Sequence, residues 1–216
     1  MGKAEIFAAI RAALADVREP DPAADVAVPW EYGQATAVED VVGLFAERVE
    51  DYKATVLRAA SADAVGDLVA QALAEHGAGS VAVPAGVPEA WYAAAERAGV
   101  AIRRDDPPLT NAELNETAAV LTAAAVGWAE TGTIALDHRA DQGRRALTLV
   151  PDLHVCVIEA AQIVTDVPEA MARLQASLND RQPITWISGP SATSDIELSR
   201  VEGVHGPRTL IVIVVG

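Results

Sequence analysis

Trp186-Ile-Ser-Gly-Pro-Ser-Ala-Thr-Ser-Asp-Ile-Glu197 runs through Gly203-Val-His-Gly-Pro207 into Thr209-Leu-Ile-Val-Ile-Val-Val215. The apolar run Ile184–Ile187 stops at Ser188-Gly189-Pro190, and Ser194-Asp195-Ile196-Glu197 has the spacing of a capping box. Gly203, Gly206 and Pro207 break the chain again before a nearly uninterrupted β-branched run. This order predicts a strand, a tight glycine loop, a short helix, a turn and a buried strand. Such a loop leaves backbone N–H groups unpaired at a helix start beside a strand end, where open α/β sheets place ligands. The same spacing also serves as a plain cap. Asp195 and Glu197 already put carboxylates at the electropositive helix end that a phosphate would occupy.

Upstream the rhythm is helix and strand. Val38, Val41, Val42, Phe45 and Val49 mark a helix over 38–52, and Ala54–Leu57 reads as the first strand. A helix from Ser61 to about His76, a strand at Ser80–Val83, a helix carrying Trp91 and Tyr92, and a strand at Val100–Ile102 follow. Alternation of this kind is the pattern of a mostly parallel sheet covered on both faces, an α/β fold. Ile6, Ile10, Leu14 and Val17 stand at helical spacing before Glu19-Pro-Asp-Pro22, so 1–36 reads as a helical arm with its linker and 37–216 as the domain.

From Ala118 the segments shorten. Ala118–Leu121 and Val126–Leu136 leave no room for a crossover helix, and Thr131-Gly132-Thr133 suits either a plain turn or a bend exposing hydroxyls and backbone N–H groups. Residues 137–145 read as a solvent-facing loop. Its Arg144 and Arg145 have the chemistry to hold an anion, although exposed arginines commonly hold nothing. A strand at His154–Ile158 and a helix over 168–178 lead back to the opening stretch.

Composition narrows function. The chain of 216 residues is 51% hydrophobic and 22% charged, a globular balance. No apolar run approaches the roughly 20 residues of a membrane helix, and no leader is evident, so the expectation is a cytoplasmic protein away from membranes. A net charge of −15 argues against nucleic acid. Lys3 and Lys53, the only lysines, lie far from the glycine motifs, which excludes a phosphate-loop or Schiff-base lysine there. Cys156 is alone, so this chain by itself holds no disulfide, zinc–thiolate or iron–sulfur cluster, and its apolar setting reads as a packed thiol. His76, His138, His154 and His205 form no metal-ligand spacing, and no metal is expected.

Several blocks together resemble a known family. Ser188-Gly-Pro-Ser-Ala-Thr-Ser-Asp-Ile-Glu197 with Gly203-Val-His-Gly-Pro-Arg208, Ala129-Glu-Thr-Gly-Thr-Ile-Ala-Leu136, Leu147-Thr-Leu-Val-Pro151 and His154-Val-Cys-Val-Ile158 stand in the order of the LUD domain, and more closely of the lactate-utilisation protein C family. The resemblance covers about 118–216. It implies a fold of the NagB/RpiA/CoA-transferase-like kind and ligands, mainly phosphorylated or acyl compounds, held at glycine loops. It also implies an accessory part in oxidising L-lactate to pyruvate beside two iron–sulfur partner proteins, with no cofactor held by this chain. Motif membership nominates Glu130, Thr131, Gly132, Thr133, Ser188, Gly189, Ser191, Thr193, Asp195 and Glu197 as ligand-binding. His205 is the candidate acid or base, or equally a hydrogen-bonding prop for the turn. Of Asp195 and Glu197, two apart on a helix, one would cap and the other face the ligand. A stand-alone isomerase, acyl transferase or ligase, a metabolite sensor, and a homo-oligomer stay open as alternatives.

Overall fold

The structure is a computed structural model that describes residues 2–17, 33, 36–193, 201–202 and 205–216. The chain forms two compact units, Met1–Gln34 and Ala35–Gly216. In the first, α1 (Lys3–Ala13) buries no residue, and Glu5 accepts a hydrogen bond from Gly2 N at its start.

The second unit opens with α2 (Val41–Asp51), whose N-cap Asp40 accepts from Gly43 N, satisfying one of the free donors of the first turn. Then come β1 (Thr55–Ala59), α3 (Val65–Glu75), β2 (Ser80–Val83), α4 (Ala93–Arg97), β3 (Ala101–Arg104), α5 (Asn111–Asn115) and β4 (Ala119–Ala123). The chain continues through β5 (Val126–Trp128), β6 (Thr133–Leu136), β7 (Leu153–Glu159), β8 (Ile163–Val164), α6 (Val167–Asn179) and β9 (Thr185–Ile187). It ends with β10 (Ala192–Thr193), β11 (Val201–Glu202) and β12 (Thr209–Val215).

Six strands make one wholly parallel sheet in the order β1-β12-β7-β4-β2-β3. Because side chains alternate across a strand, β7 and β12 feed two cores. Val155, Val157, Ile211 and Ile213 pack with Val69, Leu73 and Tyr92 on the face of α3 and α4. Cys156, Ile158, Val212 and Val214 pack with Phe45 and Val49 of α2 on the other.

That second face departs from a simple helical cover. The short segments after β4 pair among themselves into a mixed sheet, β8-β5-β6-β9, whose Ile134 and Leu136 join the α2 core. Trp128 and Ala135 point the opposite way, onto Ala170 and Leu174 of α6. The motif-bearing strand at 184–188 is therefore β9, the half-exposed edge of this second sheet. It zips antiparallel onto β6 along one side only, and its outer side carries no further strand among the described residues.

The helix expected from Ser194 falls largely on residues outside those described. Its flanks do not continue it: Ala192–Thr193 pairs antiparallel with Val201–Glu202. The 137–145 loop is also not simply solvent-facing. Asp137 and Gln142 are buried, and Asp137 Oδ2 accepts from Ser177 Oγ at 2.5 Å and Arg139 Nε at 3.0 Å. Burial raises the Asp137 pKa, but those hydrogen bonds outweigh it and hold the carboxyl below its ordinary range.

Phe45 is fully buried between α2 and both sheets. Phe45→Ala should cost about 3–5 kcal/mol in urea denaturation, as for large-to-small changes in packed cores. A loss under about 1 kcal/mol would mean that α2 is not a fixed part of the second core.

Candidate functional site

The two motif bends meet through hydroxyls. Thr133 Oγ1 lies 2.7 Å from both Thr131 Oγ1 and Ser188 Oγ, so one continuous chain of hydroxyls crosses from the start of β6 to the end of β9. The antiparallel register pairs Ile134 with Ile187 and so sets Thr133 opposite Ser188.

The glycines of both bends do steric work. Gly132 has φ 58°, and a Cβ there would meet the Arg48 carbonyl carbon at 2.5 Å. Gly189 has φ 79°, and its Cβ would meet Tyr52 Cβ at 2.5 Å. Both bends thus pack their backbones against α2 or the residue that ends it, an approach open only to glycine.

Beyond β9 the chain encloses a hollow of about 220 Å³. Ser188, Gly189 and Ser191 form one wall and His205–Pro207 another. The loops are pinned together, because Ser191 N donates to the Pro207 carbonyl (2.8 Å) and Ser191 Oγ accepts from His205 N (2.9 Å). The floor is His154 and Leu210, paired across β7 and β12 and therefore on one face of the main sheet. The hollow lies toward the N-terminal ends of these strands, not in the crevice beyond their C-terminal ends where open α/β sheets usually bind ligands.

The nominated residues fall into three groups. Ser188, Gly189, Ser191 and His205 share the hollow, and Thr133 reaches it through the Ser188 hydroxyl. Glu130 and Thr131 line a separate shallow depression with Arg48, Asp51 and Tyr52, while Gly132 is turned into α2. Thr193 lies in β10, and Asp195 and Glu197 lie outside the described residues.

Of the lining residues outside the nominated set, Arg145, Thr148 and His154 bring hydrogen-bonding side chains from the 145–154 stretch, and of these only Arg145 is singled out by the sequence, for its charge. Arg145 Nη1 donates to the Thr148 carbonyl (3.1 Å) and hydroxyl (2.9 Å). Its neighbour Arg144 is committed differently, forking onto both Asp105 oxygens at 2.8 and 2.9 Å and onto the Leu109 carbonyl. His154 is 1% exposed, and its Nε2 pairs with Thr122 Oγ1 at 2.8 Å. Burial, reinforced by the Arg145 charge, pushes its pKa down to about 3, so the ring is neutral at physiological pH. The available signal was position, since Thr148 and His154 sit inside the 147–158 blocks.

Burial pushes the Cys156 thiol up to about 12, which suits a packed group rather than a nucleophile. At the rim, Trp186 is 52% exposed and meets the buried Trp128 edge-on at 4.9 Å. Among the described residues no three His, Cys, Asp or Glu side chains cluster to hold a metal, and no helix is long and apolar enough to cross a membrane.

Gly132→Ala should destabilise the domain by more than about 2 kcal/mol in chemical denaturation, since it adds left-handed strain to a backbone clash. A neutral effect would show that α2 yields easily. For His154 the folded pKa of about 3 lies below the ordinary 6.5. The unfolded chain therefore takes up the proton first, and this group's contribution to stability falls as pH drops from about 6.5 toward 3. Comparing denaturation midpoints at pH 7 and pH 5, the loss on acidification should be smaller in His154→Gln than in the unsubstituted protein. Equal losses would mean that the ring is solvated.

The LUD domain model matches residues 42–215. The chain is 47% identical to lactate utilization protein C of Deinococcus radiodurans, covering 99% of this chain and 95% of that one. It is 26% identical to lactate utilization protein C of Geobacillus thermodenitrificans, over 90% and 86% of the respective chains. A crystal structure of a DUF162 family protein from Deinococcus radiodurans superposes with a TM-score of 0.71 at 43% identity, covering 84% of this chain and 99% of that one. With nearly the whole second unit inside the domain match, this chain belongs to the LUD domain family.

Proposed function

We propose that this chain is an accessory component of a cytoplasmic L-lactate oxidation system, acting beside iron–sulfur partner proteins and binding a small anionic ligand in the hollow between Ser188–Ser191 and His205–Pro207. The observation that carries this reading is the 47% identity, over nearly the full length of both chains, to a protein named lactate utilization protein C. The chemistry of the hollow agrees with holding rather than transforming. Its Ser188 and Ser191 hydroxyls are engaged by Thr133 and by the His205 backbone, and the nearby thiol is buried and protonated. With one cysteine in the sequence, electron-carrying clusters fall to the partners.

The test has two arms. The purified chain should show no L-lactate oxidation with an artificial electron acceptor, and activity should appear on adding the iron–sulfur partner proteins that this reading requires. Deleting its gene should abolish growth on L-lactate as sole carbon source. Turnover by the isolated chain, or unimpaired growth of the deletion strain, would overturn the reading.

A further inference from the structure

Resting on the reading of this hollow as the ligand site, we propose that Arg145, Thr148 and the ring of His154 form a carboxylate-binding subsite on its buried wall, and that the ligand is a short monocarboxylate with a small apolar tail.

The case begins with a charge that no carboxylate among the described residues compensates. Among the described residues Arg48, Arg139, Arg144 and Arg208 each face an aspartate within 4 Å, and of the arginines that do not, Arg145 is the one that lines the hollow. Arg145 is half-buried, lines the hollow, and has no carboxylate partner among the described residues. Among the described residues its hydrogen bonds use Nη1 alone, with no partner on the Nε and Nη2 edge of the guanidinium fork. A partly desolvated cation without a counter-ion is costly, and burial lowers the Arg145 pKa in keeping with that. A bound carboxylate would supply the missing charge in the bidentate geometry a guanidinium favours.

His154 is the second, independent observation. It is almost wholly buried, lines the same hollow, and has a hydrogen bond only at Nε2 among the described residues. Its other ring nitrogen is left for a ligand polar atom.

Charge and size then set the class. Among the described residues Arg145 is the only fixed cation lining the hollow, which balances a monoanion; a phosphate dianion would leave a charge uncompensated. The volume of about 220 Å³ is below the roughly 300–1,000 Å³ of pockets for drug-sized ligands. Ile187, Pro190 and Leu210 offer an apolar wall for a short tail.

The test is calorimetric titration of the full chain at pH 7 with acetate, L-lactate, pyruvate and inorganic phosphate, each separately. At least one carboxylate should saturate the protein and bind more tightly than phosphate. Arg145→Gln should weaken that binding about tenfold or more, and Arg145→Lys, which keeps the charge but loses the fork, should fall between. Arg97→Gln, which removes an exposed charge on α4, should change nothing. Circular dichroism establishes that the variants fold; if Arg145→Gln does not, Arg145→Lys carries the comparison. Saturation by none of the carboxylates, tighter binding of phosphate, or wild-type affinity in the Arg145 variants overturns the proposal. Carboxylate binding uses the purified chain alone, whereas the lactate reading is decided by reconstitution and growth, so either can fail without the other.

Discussion

Everything in the domain hangs from the burial of β12 on both faces and both edges. Seven β-branched or leucine positions, Thr209–Val215, enter the main sheet between β1 and β7, so the last strand closes a sheet opened by the first. Backbone groups so enclosed have no water to turn to, and both ladders must form together. Side chains alternate from this strand into the α3 core and the α2 core, which couples the two faces through one segment. The start of the same strand, at Leu210, is also part of the floor of the hollow.

The second sheet follows from what the first leaves uncovered. A parallel sheet needs apolar cover on both faces, and the segments after β4 are too short to provide a crossover helix there. They pair with each other instead, and α2 and α6 seal the remaining surfaces. That arrangement creates an edge at β9, and the hollow opens where this edge ends against the main sheet. The location is thus a consequence of layering, with the Thr131–Thr133–Ser188 hydroxyl chain joining the two bends.

Two histidines illustrate how burial assigns roles. His205 comes from the motif and is exposed, with its backbone N–H holding Ser191. His154 comes from an apolar strand and is buried against Thr122, with Arg145 disfavouring its protonated form. A motif identifies where chain segments converge; desolvation determines which of the converging groups is electrostatically unusual.

Sequence by itself determined the α/β class, the strands at 80–83, 154–158 and 209–215, the glycine bends and the absence of cluster-holding cysteines. These are local: periodicity, β-branching and glycine punctuation act within a few residues. It also identified Arg144 and Arg145 as a pair without telling them apart. Tertiary structure separated them, because Asp105, 39 positions from Arg144, comes within 2.8 Å of it, while Arg145 has no such partner among the described residues. It likewise turned 184–188 into an edge strand, divided Glu130 and Thr131 from Ser188 and Ser191, and placed His154 on the floor of the hollow. The physical reason is the same in each case: side-chain environment depends on long-range packing and shared burial, which no local pattern of residues encodes.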